Sequence, residues 1–102
     1  MIHVIATIDV ASGKREAFLE HFRALVPEVR EEQGCLDYGP TVDTPTDIAA
    51  QVEVSEDSVT VVERWESLDA LKAHLAAPHM TQFRSKVADL VRHTTLRILT
   101  PV

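Results

Sequence analysis

The side chains best suited to chemistry cluster between Glu63 and His79, with Tyr38 lying earlier in the chain. Histidine is the one type among them that titrates near neutrality unaided, which makes it the natural general base. His74 sits at the flank of a Leu68, Leu71 and Leu75 stripe, where a helix would meet a sheet. It reads either as a base facing a pocket or as a half-exposed polar residue at a helix edge. His79 precedes Phe83 by four residues and so shares its helical face. It is either a substrate contact or a packing histidine beside Pro78. The two histidines straddle a break at Ala77-Pro78, so they are not the i, i+4 pair of a zinc helix, and no metal is expected.

Trp65, the only tryptophan, either walls an aromatic pocket or fills the core or an interface. Glu63 falls on the same strand face. A carboxylate there is costly unless it is paired or used. Arg97 on the last strand is a possible partner, which leaves an ion pair and catalysis both open. Tyr38 either donates a hydrogen bond to a substrate oxygen or packs with its hydroxyl satisfied. Cys35 is most simply a small buried hydrophobe, with no base or cation run beside it to make a thiolate. His3, His21 and His93 carry no motif, and His21 is expected at the surface. Phosphate loops, paired zinc motifs, nucleophile elbows and dinucleotide fingerprints are all missing.

These residues need elements to position them. Ile2 to Val10 alternates with period two and is rich in β-branched residues, which predicts a strand. Phe18, Phe22, Leu25, Val26 and Val29 form one stripe of a helix from about Lys14 to Glu32. Ser12 or Gly13 should cap it, Pro27 should kink or break it, and Gly34 should stop it. Cys35 to about Asp43 reads as a strand with Leu36, Tyr38 and Val42 on one side and an edge or bulge at Gly39-Pro40. Thr44 to Asp57 is turn-like, with a short strand expected at Gln51–Val54. From Asp43 to Asp57 there are five acids and no base, so the segment should be solvated. Ser58 to Glu66 is a strand with Val59, Val61, Glu63 and Trp65 on one face. Ser67 should cap a short helix, and Pro78 suits the first position of another, whose stripe is Met80, Phe83, Val87 and Leu90 or Val91. His93 to Pro101 closes the chain as a strand.

The order β-α-β-(β)-β-α-α-β is the split βαβ pattern of an α+β, ferredoxin-like fold, an antiparallel sheet with helices on one face. The other face wants a cover, so a homodimer packed sheet to sheet is expected. The 102 residues predict a single domain over residues 1–102. A net charge of −6 argues against nucleic-acid and anionic-membrane partners. The apolar runs are far shorter than the ~20 residues a membrane helix needs. One cysteine and the lack of a basic region followed by a long apolar run ahead of the first strand point to the cytoplasm.

Two stretches carry a resemblance. One is Glu31-Glu32-Gln33-Gly34-Cys35-Leu36-Asp37-Tyr38. The other is Val62 to Met80, with Glu63-x-Trp65, His74 nine residues after the tryptophan, and Pro78-His79 beyond it. Together they resemble the antibiotic biosynthesis monooxygenase (ABM) family, which includes quinol monooxygenases. The resemblance implies a dimeric α/β barrel that oxidises a small aromatic substrate with O2, often with no metal, flavin or haem as cofactor. It makes His74 the expected catalytic base, with Trp65, Glu63, Tyr38 and His79 as expected substrate contacts. Ile2–Val10 lacks the asparagine that the haem-degrading branch carries, which disfavours that branch. The acidic Thr44–Asp57 segment is longer than the usual pattern and could reshape the pocket mouth. An isomerase of a small carbonyl or phosphosugar-like compound on the same scaffold stays open, as does a non-enzymatic ligand-binding dimer.

Overall fold

A computed structural model describes residues 1–102. Seven elements follow one another: β1 (Ile2–Val10), α1 (Arg15–Arg30), β2 (Cys35–Thr41), β3 (Ser58–Trp65), α2 (Leu68–Ala76), α3 (Pro78–Lys86) and β4 (Val91–Leu99). The four strands form one sheet in the order β2-β3-β1-β4, and every neighbouring pair is antiparallel. The ferredoxin-like α+β expectation holds.

Period two decides which residues reach the helices. Val4, Ala6 and Ile8 lie opposite Glu63, Val61 and Val59 on one side and Ile98, Leu96 and Thr94 on the other, so all share the inner face. His3, Ile5 and Thr7 pair with Arg64, Val62 and Thr60, and with Leu99, Arg97 and Thr95, on the outer face. Arg97 therefore lies across the sheet from Glu63, and the ion pair between them does not exist.

The stripe of α1 buries Phe18, Leu19, Phe22, Leu25, Val26 and Val29. Phe22 stacks on Tyr38 at 5.6 Å between ring centroids, and Phe83 of α3 meets Phe18 and Phe22 edge-on at 5.9 and 5.7 Å. Each such ring contributes roughly 1.5–3 kcal/mol by leaving water. The helix runs unbroken through Pro27, and it starts at Arg15, so its N-cap is Lys14 rather than Ser12 or Gly13, with no side-chain cap. Ser67 does cap α2, its hydroxyl accepting from the Ala70 amide at 3.1 Å. Pro78 opens α3, where a missing N–H costs nothing.

Two strand details differ from the sequence reading. β2 is an edge strand, one of the two alternatives that Gly39-Pro40 left open, but its register shift lies between Cys35 and Asp37, and Leu36 is exposed while Tyr38 stays buried. Gln51–Val54 forms no strand, and Val52 is exposed. That acidic segment is held at its ends instead. The Ser55 amide donates to Asp43, and Asp57 accepts from the Gly13 and Val10 amides.

The turn after α1 leaves little freedom. Gly34 has φ +86°, and a Cβ there would stand 2.6 Å from Ala70 Cβ. Its carbonyl accepts the Glu66 amide at 2.8 Å, which seats the start of α2 against the end of α1. Gly34→Ala must adopt a left-handed conformation and push against α2. We expect about 2 kcal/mol of lost stability, read as a lower urea midpoint with an unchanged slope.

Candidate functional site

The helices cover the sheet unevenly. Over β4 the inner residues Leu96 and Ile98 remain 42% and 48% exposed. Beside them a cavity of about 510 Å³ runs between the sheet and the chain from His74 to Val91. Of its 17 lining residues 13 are hydrophobic, among them Phe18, Phe22, Met80 and Phe83. The polar groups on its wall are few: Tyr38, Glu63, His74, Arg84 and Thr94. Such a cavity suits a flat apolar guest oriented by a few hydrogen bonds.

His74, on α2, is 2% exposed. Its Nδ1 lies 2.8 Å from Glu32 Oε2. The same oxygen lies 2.7 Å from His79 Nε2, on the first turn of α3. A carboxylate oxygen can only accept, so both ring nitrogens carry their protons toward it. His74 then presents an unprotonated Nε2. No fully buried side-chain nitrogen or oxygen lacks a partner, and His74 Nε2 has none in the protein. This nitrogen therefore keeps access to the cavity that His74 lines. Burial pushes the His74 pKa below its ordinary value, and the Glu32 hydrogen bond and charge only partly restore it. The imidazole is neutral at pH 7 and ready to accept a proton.

Aromatic rings fix the imidazole plane. Trp65 lies 4.6 Å from it, tilted 33°, and Tyr38 meets it edge-on at 5.4 Å. Trp65 Nε1 also donates to Glu63 Oε1 at 2.9 Å. Glu63 is nearly sealed from water, and burial pushes its pKa up to about 7 against the pull of the Trp65 bond, with the Glu32 charge raising it further. Burial, with Glu63 and Glu32 nearby, also drives the Tyr38 phenol well above its usual range, so it stays a donor. The Cys35 thiol is raised by burial and by Glu32, which keeps it protonated.

The sequence-expected residues thus divide. His74, Glu63 and Tyr38 line the cavity; Trp65 and His79 do not. Trp65 is fully buried behind His74, and the tight fit of its ring against the imidazole is what removes it from the wall. His79 stands on the far side of Glu32, because the turn at Ala77 folds the start of α3 back toward the end of α1. The two histidines straddle the break at Pro78 and are not an i, i+4 pair on one helix, yet both reach one oxygen. Sequence reasoning missed Glu32. One signal was present: an acid just past a helix C-terminus opposes the helix dipole, so something else must hold it there. Arg84 was missed too; its Nη2 donates to the Leu75 carbonyl at 2.7 Å at the cavity margin.

A ferredoxin-like sheet with a histidine-bearing apolar cavity under its helices defines a class, and the chain belongs to it: residues 1–86 match the antibiotic biosynthesis monooxygenase family. Within that family the chain is 39% identical to the probable quinol monooxygenase YgiN of Escherichia coli, over 99% of this chain and 98% of that one. Among solved structures, PA3566 from Pseudomonas aeruginosa superposes with a TM-score of 0.81 at 28% identity, covering 99% of this chain and 93% of that one. Rv0793 from Mycobacterium tuberculosis shares the fold at a TM-score of 0.80 and 24% identity, covering 99% and 94%. No helix is long and apolar enough to cross a membrane.

Proposed function

We infer that the protein is a monooxygenase that oxidises a quinol or polycyclic phenol with O2, without a metal, flavin or haem of its own. The observation that carries this reading is that His74 lines an apolar cavity while Glu32 engages its Nδ1, which leaves Nε2 as the ring's acceptor. His74 takes a phenolic proton, and Glu32 stabilises the imidazolium that forms. The quinolate, held in a dry cavity, is electron-rich enough to pass an electron to O2. The complete reaction consumes one O2 per quinol and yields a hydroxyquinone and water. Tyr38 donates to the substrate oxygen. Glu63, half protonated near pH 7, exchanges the second proton.

The membership in the family and the likeness to a probable quinol monooxygenase support the oxygenase over its rivals. Arg84 is the only guanidinium on the wall, and it is engaged with Leu75, which leaves a phosphosugar without a cationic cradle. A homodimer belongs to the same proposal. Ile5 and Val62 pair on the outer face, where Val62 and Leu99 are exposed, and a second copy would cover them.

Oxygen uptake with a panel of quinols and phenols in metal-free buffer tests the reaction. We expect uptake with at least one bicyclic quinol, and labelled oxygen from O2 in the product. Ligand binding without uptake across the panel would favour a non-enzymatic binding protein.

A further inference from the structure

We propose that Glu32, His74 and His79 form a binding site for a divalent transition-metal ion, Zn2+ above all, and that the ion acts as an inhibitor. Three ligand-type atoms, His74 Nδ1, His79 Nε2 and a Glu32 carboxylate oxygen, lie within 4.8 Å of one another. Two imidazoles and one carboxylate make a common three-ligand zinc set, with a fourth position for water. Nitrogen ligands favour Zn2+ over Mg2+ or Ca2+, which prefer oxygen alone.

The present arrangement is the proton-bearing form of such a site. Both rings aim at Glu32 Oε2 from 2.8 and 2.7 Å. A bound cation replaces the two hydrogen bonds. Each imidazole then moves its single proton to its other nitrogen, so coordination needs no net proton loss from the histidines. Glu32 turns enough to let the ion stand about 2 Å from each donor. The three ligands come from the end of α1, from α2 and from α3, and the tight Gly34–Ala70 approach limits how far they can spread. The site can be reached: the Glu32 and His79 side chains are 13% and 24% exposed. His79 also borders a small cleft between α1 and α3.

The inhibition follows from the tautomer. Coordination at Nδ1 leaves the His74 proton on Nε2, the nitrogen that faces the cavity. A neutral imidazole held that way can donate but not accept, and the base is lost. This arm rests on the oxygenase reading; the binding arm does not.

Calorimetric titration of the metal-free protein with ZnCl2 in a non-chelating buffer tests binding directly. We expect one Zn2+ per chain, with affinity at least about 100-fold weaker in Glu32→Gln and in His79→Ala, beyond what loss of a mere supporting contact produces. Co2+ added to the wild-type protein should give the strong visible absorption of a tetrahedral site, displaced by Zn2+, which covers the case of a variant that fails to fold. MgCl2 should give no heat. Binding that is absent in the wild type, or that persists in both variants through surface histidines such as His21 or His93, overturns the site. Where oxygen uptake is measurable, Zn2+ should abolish it and a chelator restore it. Zinc binding with full uptake would overturn the inhibitory role while leaving the site.

Discussion

His74→Ala is expected to lower kcat/KM for the best quinol by about 10²–10⁴-fold, the usual contribution of a positioned general base. The cavity gains room, so the affinity for a non-reactive product analogue should change much less. That split separates loss of chemistry from loss of shape. In the proposed reaction Glu32 acts through His74, so its effect should appear in the pH profile. If His74 is the base, neutral imidazole is the active form, and the acid limb of kcat/KM should fall at a pH below the ordinary histidine value. Glu32 raises the His74 pKa, so Glu32→Gln should carry that limb to still lower pH while reducing the plateau. A His74→Ala protein with wild-type oxygen uptake would move the base elsewhere on the wall, and Glu63 is then the remaining candidate.

Much of this site could be read from periodicity, and the parts that could not share a cause. Strand alternation placed Glu63 beside Trp65 and Val61, and the sheet keeps all three on the inner face. Helical spacing placed His74 near the Leu71 stripe, and it is buried with Leu71. Both inferences use neighbours within one element, where backbone geometry fixes direction. Glu32 lies outside any element, and its role depends on where two other helices arrive. Pro78 shows the same limit. Its effect on α3 was legible, but the angle through which it returns His79 to Glu32 is a tertiary result. Arg97 failed for a simpler reason: strand pairing places it opposite Ile5, and no count within β4 alone reveals which face that is. The Thr44–Asp57 segment was legible as solvated but not in its anchoring, which depends on Gly13 and Val10 far away in sequence.

Glu63→Gln should stabilise the protein by roughly 3 kcal/mol at pH 8 and change it little at pH 4.5. The carboxyl is dry, and its pKa stands near 7 rather than at the ordinary 4.5. Below 4.5 both folded and unfolded chains hold the proton, and nothing is lost. Between 4.5 and 7 the unfolded chain releases it while the folded chain keeps it, so stability falls as pH rises. Above 7 the folded carboxyl ionises as well, and the full penalty of roughly 3 kcal/mol for the rise from 4.5 to about 7 is in force. Glutamine never ionises, and its amide oxygen can still accept from Trp65 Nε1, so the packing behind His74 survives. His74 contributes a slope of the opposite sign. Its pKa is depressed, so its share of stability is complete above 6.5 and declines as pH falls toward its folded value. That slope is common to both proteins and cancels in their difference. Urea unfolding of the pair at several pH values isolates Glu63; a gap that does not vary with pH would show that its carboxyl titrates alike in the folded and unfolded chains and would overturn the shift. The variant should also slow turnover, because the group that destabilises the alkaline protein is the same one that can take and return a proton at neutral pH beside a bound quinol. On the proposed reaction, stability and reactivity would be coupled through one desolvated carboxyl, whose burial raises the pKa and whose Trp65 hydrogen bond limits the rise.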